Sequence, residues 1–488
     1  MKQIEDSSIQ EIIKNKIKPI WFLVTGIVIL SATHLTFGIG LFAWIASVPF
    51  LLYLSATKGI KSQLLFAGAL ITAWSFATAK IISPPMPYAM VFLFSIPLGL
   101  IQLPGYLLWA KFRNHKFSFL LFPTVMVLME WMQYSFTPFA SWGIAAYTQM
   151  DNLILMQSVS IFGVAGLGFL IYWINITIAE AFVKNQFTFR IIRVPLMVFA
   201  SIIIFGSVRY NFNKSIGQET IKVAAVGTDS KVGGLPLPSQ EITKKDIATL
   251  FARTRAAADA NAKLIVWNEG SIGIMPKDEK IWKDSLSSLA SELKINLVAA
   301  YVMPVSENPF KYINKYLFLL PNGSIAFDYL KHQPVPGEPA VKGIEPLQII
   351  NFEDVKIGAA ICYDYDFPYL AKGFGDLSSD IVALPSSDWR GIDPIHTKMA
   401  AFRAIEQGHS VLRSTRFGLS AAITPYGEMI AQQSSFDNND KIMIADLPAK
   451  GITTVYSIIG DSFILLCFGL IIFFLLVVLR SKNLNPNK

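Results

Sequence analysis

Two hydrophobic patterns divide the chain. Up to residue 209, long apolar runs follow one another with short polar breaks. From 210 to 460, short apolar runs alternate with amphipathic stretches, and one last apolar run closes the chain. A helix crossing a bilayer needs about 20 apolar residues. Eight stretches approach that length, at 19–36, 39–55, 63–82, 88–110, 117–135, 157–183, 191–209 and 461–479, the second being the shortest. They predict seven spans before the 210–460 segment and one after it. Inside that segment IKVAAVG (221–227), KLIVWNEG (263–270), INLVAAYVMP (295–304), KYLFLLP (315–321), VKIGAAICYD (355–364) and DIVALPSS (380–387) read as strands. The apolar spacing in 244–262, 280–294 and 396–408 predicts helices. Strands alternating with helices indicate an α/β layered fold.

Composition supports the membrane reading. The 488 residues are 53% hydrophobic and 16% charged, against about 25% charged in soluble domains. The net charge of +8 does not imply nucleic acid, because the cations flank the apolar runs, where they set topology. Lys2, Lys14, Lys16 and Lys18 precede the first run, and Lys58, Lys61, Lys111, Arg113, Lys116, Lys184, Arg190, Arg193, Arg480, Lys482 and Lys488 mark every second loop thereafter. Loops 83–87 and 136–156 contain neither Lys nor Arg. The positive-inside rule then puts both termini in the cytoplasm and the large segment on the extracytoplasmic side. The expected divisions are a cytoplasmic N-terminus (1–18), a seven-span region (19–209), an extramembrane domain (220–450), a closing helix (461–479) and a cytoplasmic tail (480–488). The first span reads as a retained anchor, since the polar segment before it is too long and too mixed in charge for a cleaved signal. Of two cysteines, Cys467 lies within an apolar run, so no disulfide framework is expected.

Three residues at predicted strand ends form a chemically complete set. Glu269 follows LIVW, Lys331 follows AFDYL, and Cys362 follows IGAAI; in α/β sheets, sites collect at the carboxyl ends of strands. A cysteine attacks only as thiolate, a buried carboxylate can take its proton, and an ammonium stabilises the oxyanion of acyl transfer. Each residue alone reads as ordinary: a small core cysteine, a capping glutamate, a surface lysine. His332 reads as a surface histidine, and Arg403 with Glu406, at i and i+3, as an ion pair on a helix surface. Metal-ligand spacing is missing, so no metal is expected; without a glycine-rich phosphate loop, neither is a nucleotide cofactor.

The sequence around the three residues resembles the nitrilase (carbon–nitrogen hydrolase) superfamily. VWNEGSIG is similar to its glutamate motif, YLKHQPVPGEP to its lysine motif and GAAICYDYDFP to its cysteine motif, with spacings of 62 and 31 residues. Asn268 stands where the family usually has Pro. The segment 130–173 (EWMQYSFTPFASWGIAAYTQMDNLILMQSVSIFGVAGLGFLIYW) resembles the fifth and sixth spans of the bacterial apolipoprotein N-acyltransferase family.

The resemblance implies a multi-span α-helical membrane protein with an inserted extracytoplasmic αββα sandwich. It implies Cys362 as nucleophile, Glu269 as general base and Lys331 as oxyanion stabiliser, supported by Glu338, with Tyr363 and Asp364 in the two positions after the nucleophile. Trp389 either lines an acyl pocket or anchors its loop. The implied reaction is transfer of a fatty acyl group from a phospholipid donor, through a Cys thioester, to the N-terminal cysteine of a diacylated lipoprotein. It would need no cofactor and would proceed in a monomer in the bacterial inner membrane, with the active domain facing the periplasm. Two other readings stay open on the residues alone: a membrane-anchored amidase or nitrilase, favoured by the short Lys331-to-Cys362 segment, and a transporter-like protein marked by the intramembrane Glu130.

Overall fold

The computed structural model describes residues 18–84, 86–184, 189–213, 219–228, 230–232, 234–436 and 440–484. The predicted 1–18 segment, apart from Lys18, and residues 485–488 of the predicted tail lie outside the described residues. The chain divides into two compact units, one comprising 1–211 with 459–488, the other 212–458.

Every apolar run of the first unit carries helix: α1 (Ile20–Thr33), α2 (Val48–Ala56), α3 (Ile60–Ala79), α4 (Met90–Phe112), α5 (Ser118–Phe136), α6 (Val159–Lys184), α7 (Phe189–Asn213) and, after the second unit, α12 (Ser462–Leu484). Six are long and apolar enough to cross a membrane, whereas α1 and the 40–56 stretch are shorter. The second run is not one helix. A 3₁₀ turn (Gly40–Trp44) precedes α2, and Asn175 of α6 satisfies the backbone groups freed by the break. Its Nδ2 donates to Ala43 O at 2.8 Å and its Oδ1 accepts from Ser47 N at 2.8 Å. Non-helical backbone at membrane depth persists only where protein supplies such partners. Glu130, the residue behind the transporter reading, is similarly engaged, accepting from Ala145 N at 2.8 Å and Tyr172 Oη at 2.7 Å.

In the second unit, two six-stranded sheets lie face to face. The first has the order β12-β1-β2-β3-β4-β5 and the second β11-β10-β9-β8-β7-β6, with outer and edge strands β6 (Ile349–Phe352), β10 (Leu419–Ile423), β11 (Met429–Ser434) and β12 (Ile442–Pro448). The strands that place the site are β1 (Thr220–Val226), β2 (Leu264–Trp267), β3 (Asn296–Glu307), β4 (Phe310–Leu319), β5 (Ile325–Leu330), β7 (Val355–Ala359), β8 (Ile381–Ser387) and β9 (Ser410–Arg416). Strands β1–β2–β3 and β7–β8–β9 are parallel. Strand alternation sends Val223, Val266, Val298 and Phe318 inward to meet Ile357, Ala359, Ala383 and Leu412 of the other sheet. The opposite face of the first sheet (Ala224, Ile265, Trp267, Leu297) packs on α8 (Gln240–Asp259) and α9 (Glu279–Leu293) through Leu250, Ala257, Trp282 and Leu286. Helices α10 (Pro368–Asp376) and α11 (Ile395–Gln407) belong to the second sheet's side. Gly358 lets Phe374 of α10 approach β7, for a Cβ there would lie 2.6 Å from the Phe374 ring.

Strands buried on both faces read as continuous apolar runs, which is why they were legible. The β12 strand (Ile442–Pro448), outside the runs read as strands, closes the edge by pairing antiparallel with β1. The 355–364 run stops early as a strand, at Ala359, and turns into a 3₁₀ segment from Cys362 to Asp366.

Candidate active site

The loops after β2 and β7, which belong to different sheets, meet with the end of β5: Lys331 bonds to Glu269, and Glu269 N donates to Ser386 O of the second sheet at 3.2 Å. Glu269, Lys331 and Cys362 come from these three loops and are 4%, 1% and 3% exposed. Lys331 Nζ donates to Glu269 Oε1 and to Glu338 Oε2, both at 2.8 Å. Asn314 of β4 donates to Glu269 Oε1 at 2.7 Å and to Glu338 Oε1 at 3.1 Å, while Tyr312 Oη donates to Glu338 Oε1 at 2.9 Å. Burial works against the Lys331 charge, but the two carboxylates outweigh it and hold the ammonium well above the usual lysine range. Burial likewise works against Glu338 ionising, yet Lys331 keeps its carboxyl below the usual range.

Cys362 has a left-handed backbone, φ +46°, a conformation few non-glycine residues adopt. Its Sγ donates to Ser387 O at 3.6 Å. Burial, then Glu269, push the thiol's pKa up, and Lys331 opposes them. Asp364 clamps the turn, Oδ2 accepting from Ile361 N at 3.2 Å and from Tyr329 Oη at 3.0 Å, and Oδ1 from Gln333 N at 2.6 Å. Burial pushes this carboxyl up to about 6. Tyr363 is buried with its ring edge-on to Phe367 at 5.4 Å. Asn268 ties the ends of β1 and β2 together, Oδ1 accepting from Thr228 N at 2.7 Å and Nδ2 donating to Glu269 O at 2.9 Å.

A second buried cluster flanks the cysteine, and sequence spacing concealed it. Cys362, Asp388 and His396 bring potential metal-ligating atoms within 4.8 Å of one another, a grouping in space that spacing along the chain does not display. The donors are already charge-matched: Arg413 forks onto Asp388 at 2.8 and 3.0 Å, and His396 meets Asp388 at 2.7 Å and Asp366 at 3.0 Å. Burial disfavours the imidazolium, but Asp366 and Asp388 outweigh it and hold His396 up at about 9. Burial also opposes the Asp388 charge, and Arg413 with His396 overcomes this and lowers its pKa to about 2. Such a network suits holding the β8 carboxyl end rigid better than receiving a cation.

Trp389 follows this cluster, partly exposed, at the start of the Arg390–Ile392 turn. His332 is partly buried rather than on the surface, its ring 4.6 Å from that of Tyr329. Arg403 and Glu406 also depart from expectation. They are 1% and 0% exposed, a charge contact of 3.0 Å inside the unit, because α11 is covered on both sides. Tyr312, Asn314, Asp388, His396 and Arg413 were missed; the available signal was polar residues inside otherwise apolar strands and Asp388 directly after a buried strand.

Two family models match the chain: the apolipoprotein N-acyltransferase N-terminal domain over residues 26–177 and carbon–nitrogen hydrolase over 222–456. The chain is 26% identical to the apolipoprotein N-acyltransferase of Borreliella burgdorferi, aligned over 78% of each chain. It is 25% identical to that of Rickettsia bellii, over 82% of this chain and 85% of the other. It is 24% identical to apolipoprotein N-acyltransferase 1 of Treponema denticola, over 95% and 97%. Among solved structures, an amidase from Nesterenkonia sp. aligns over 48% of this chain and 93% of its own, at 17% identity and TM-score 0.39.

Proposed function

The chain belongs to the apolipoprotein N-acyltransferase family, and from that premise we propose that it moves a fatty acyl group from phospholipid to the N-terminal lipidated cysteine of apolipoproteins, with Glu269, Lys331 and Cys362 as its catalytic residues. The observation that carries the assignment of roles is the bridging of Glu269 and Glu338 by one fully charged Lys331, next to a cysteine in a left-handed turn.

Glu269 takes the proton from Cys362 Sγ as the sulfur attacks the ester carbonyl carbon. Lys331 stabilises the oxyanion that forms, an electrostatic contribution that is largest in a water-poor pocket. The intermediate collapses, the C–O bond to the glycerol breaks, and Glu269 returns its proton to the departing alkoxide, giving lysophospholipid and an acyl-thioester. The α-amine then attacks the thioester carbonyl and loses a proton to Glu269. The C–S bond breaks, the sulfur regains that proton, and the amide leaves. Glu338, Asn314 and Asp364 position these groups. One ammonium serves both half-reactions, so both oxyanions form at the same place.

Both substrates are lipids, which accounts for joining this domain to helices long and apolar enough to cross a bilayer. The cation pattern supports cytoplasmic termini, eight membrane passages including the two short segments, and an active domain in the periplasm. The deciding experiment measures intact mass after phospholipid exposure. An acyl increment on the wild type, missing from Cys362→Ala and discharged onto a diacylated lipopeptide amine, is expected. An unmodified protein that hydrolyses small amides would instead identify an amidase.

A further inference from the structure

A cavity of about 410 Å³ lies beside the first sheet, walled by Val232, Leu237, Ile247, Ile274, Val302 and Phe310. That is within the range of small-molecule sites. Its lining is mostly apolar, with Gln240, Thr243 and Tyr312 adding polar groups, while its rim carries Lys244 and Lys277 against one carboxylate, Asp278. Rim side chains Met275 and Ile281 are 42% and 68% exposed, an arrangement that leaves apolar surface in water unless something covers it. One side chain links the cavity wall to the candidate site. Tyr312 lines the cavity and donates to Glu338 at 2.9 Å, and Glu338 holds Lys331. Val232 lies against Gly270 and Gly273, where a Cβ would come within 3.2 Å of it. The loop that carries Glu269 therefore forms part of the partition between cavity and reaction centre.

We propose that this cavity binds the fatty acyl chain that stays on the phospholipid donor, with the lipid phosphate at Lys244 and Lys277. A tail fits the uncharged wall; an anion fits a rim with two ammonium groups and one carboxylate. The proposal rests on the acyl-transfer reading and extends it to chain-length selection.

The test uses the full-length protein in nanodiscs containing a phosphatidylethanolamine with a diazirine at the terminus of that chain. Irradiation is expected to label peptides spanning 240–247, 274–281 and 302–312. Thioester formation on Cys362 should rise with the length of that chain, about fourfold per methylene accommodated. Thr243→Trp and Ile281→Trp, which fill the cavity from its rim, should remove the labelling and flatten that rise while short-chain donors still form thioester. Lys244→Glu with Lys277→Glu should cut labelling by the phospholipid but not by an uncharged diacylglycerol carrying the same chain. Labelling elsewhere only, or an unchanged chain-length profile in both Trp variants, would overturn the cavity assignment. Equal loss with both probes would overturn the phosphate assignment. A protein that forms no thioester with any donor refutes the acyl-transfer reading instead, a separate result.

Discussion

Asp364 Oδ1 accepts the backbone N–H of Gln333 at 2.6 Å, joining the residue two positions past the cysteine to the residue two positions past the lysine. The cysteine turn and the lysine loop therefore move together. Burial holds the carboxyl at about 6, so acid below that value protonates an acceptor of three hydrogen bonds. Activity should show an acid limb near pH 6. Asp364→Asn should lower kcat by about 10²-fold, the cost of misplacing reactive groups by about 1 Å, and should lose that limb. A pH–rate profile of the variant that keeps the limb would assign it to another group.

His396 sets an alkaline limit on stability. Its folded pKa is raised from 6.5 to about 9 by Asp366 and Asp388 against the opposing effect of burial. A raised histidine pKa contributes stability that is complete below about 6.5 and lost as pH rises through about 9, some 3 kcal/mol over the window. Melting temperature followed between pH 6 and 10 should decline across it. In His396→Gln the melting temperature should be lower at neutral pH, with the decline flattened.

Lys331 holds two buried carboxylates, so Lys331→Met should cost more than activity. Removing one partner from a buried ion cluster typically destabilises by about 3–5 kcal/mol. Thermal unfolding should show that loss, and Glu338→Gln added to Lys331→Met should recover part of it. An unchanged melting temperature in the single variant would mean that the carboxylates are not charged together.

Arg403 and Glu406 make the same kind of prediction away from the cysteine. Arg403→Met should destabilise by about 3–5 kcal/mol, whereas an exposed i,i+3 pair would contribute a few tenths. Chemical denaturation separates the two magnitudes easily.

The outcome at Arg403 shows where sequence ends as a guide. Apolar runs marked the long helices and the central strands, because membrane depth and two-sided burial each demand continuous hydrophobicity. Glu269, Lys331 and Cys362 read as ordinary one by one, and only the motifs around them single them out. Their partners were not legible: Asn314 is one polar residue within a strand, and Arg413 reaches Asp388 only through the pairing of β8 with β9. The break at 40–48 was hidden for the same reason, since Asn175, more than 125 residues away, supplies what the backbone lacks.

The left-handed turn at Cys362 has a consequence for evolution in the laboratory. The direction of the Cα–Cβ bond is set by main-chain geometry and the sulfur is held against Ser387 O at 3.6 Å, so the thiol is aimed when the chain folds, and the entropy lost in aiming it is spent once per molecule instead of once per turnover. New acceptors should therefore be reached by reshaping the loops around this turn, while the turn itself is left intact.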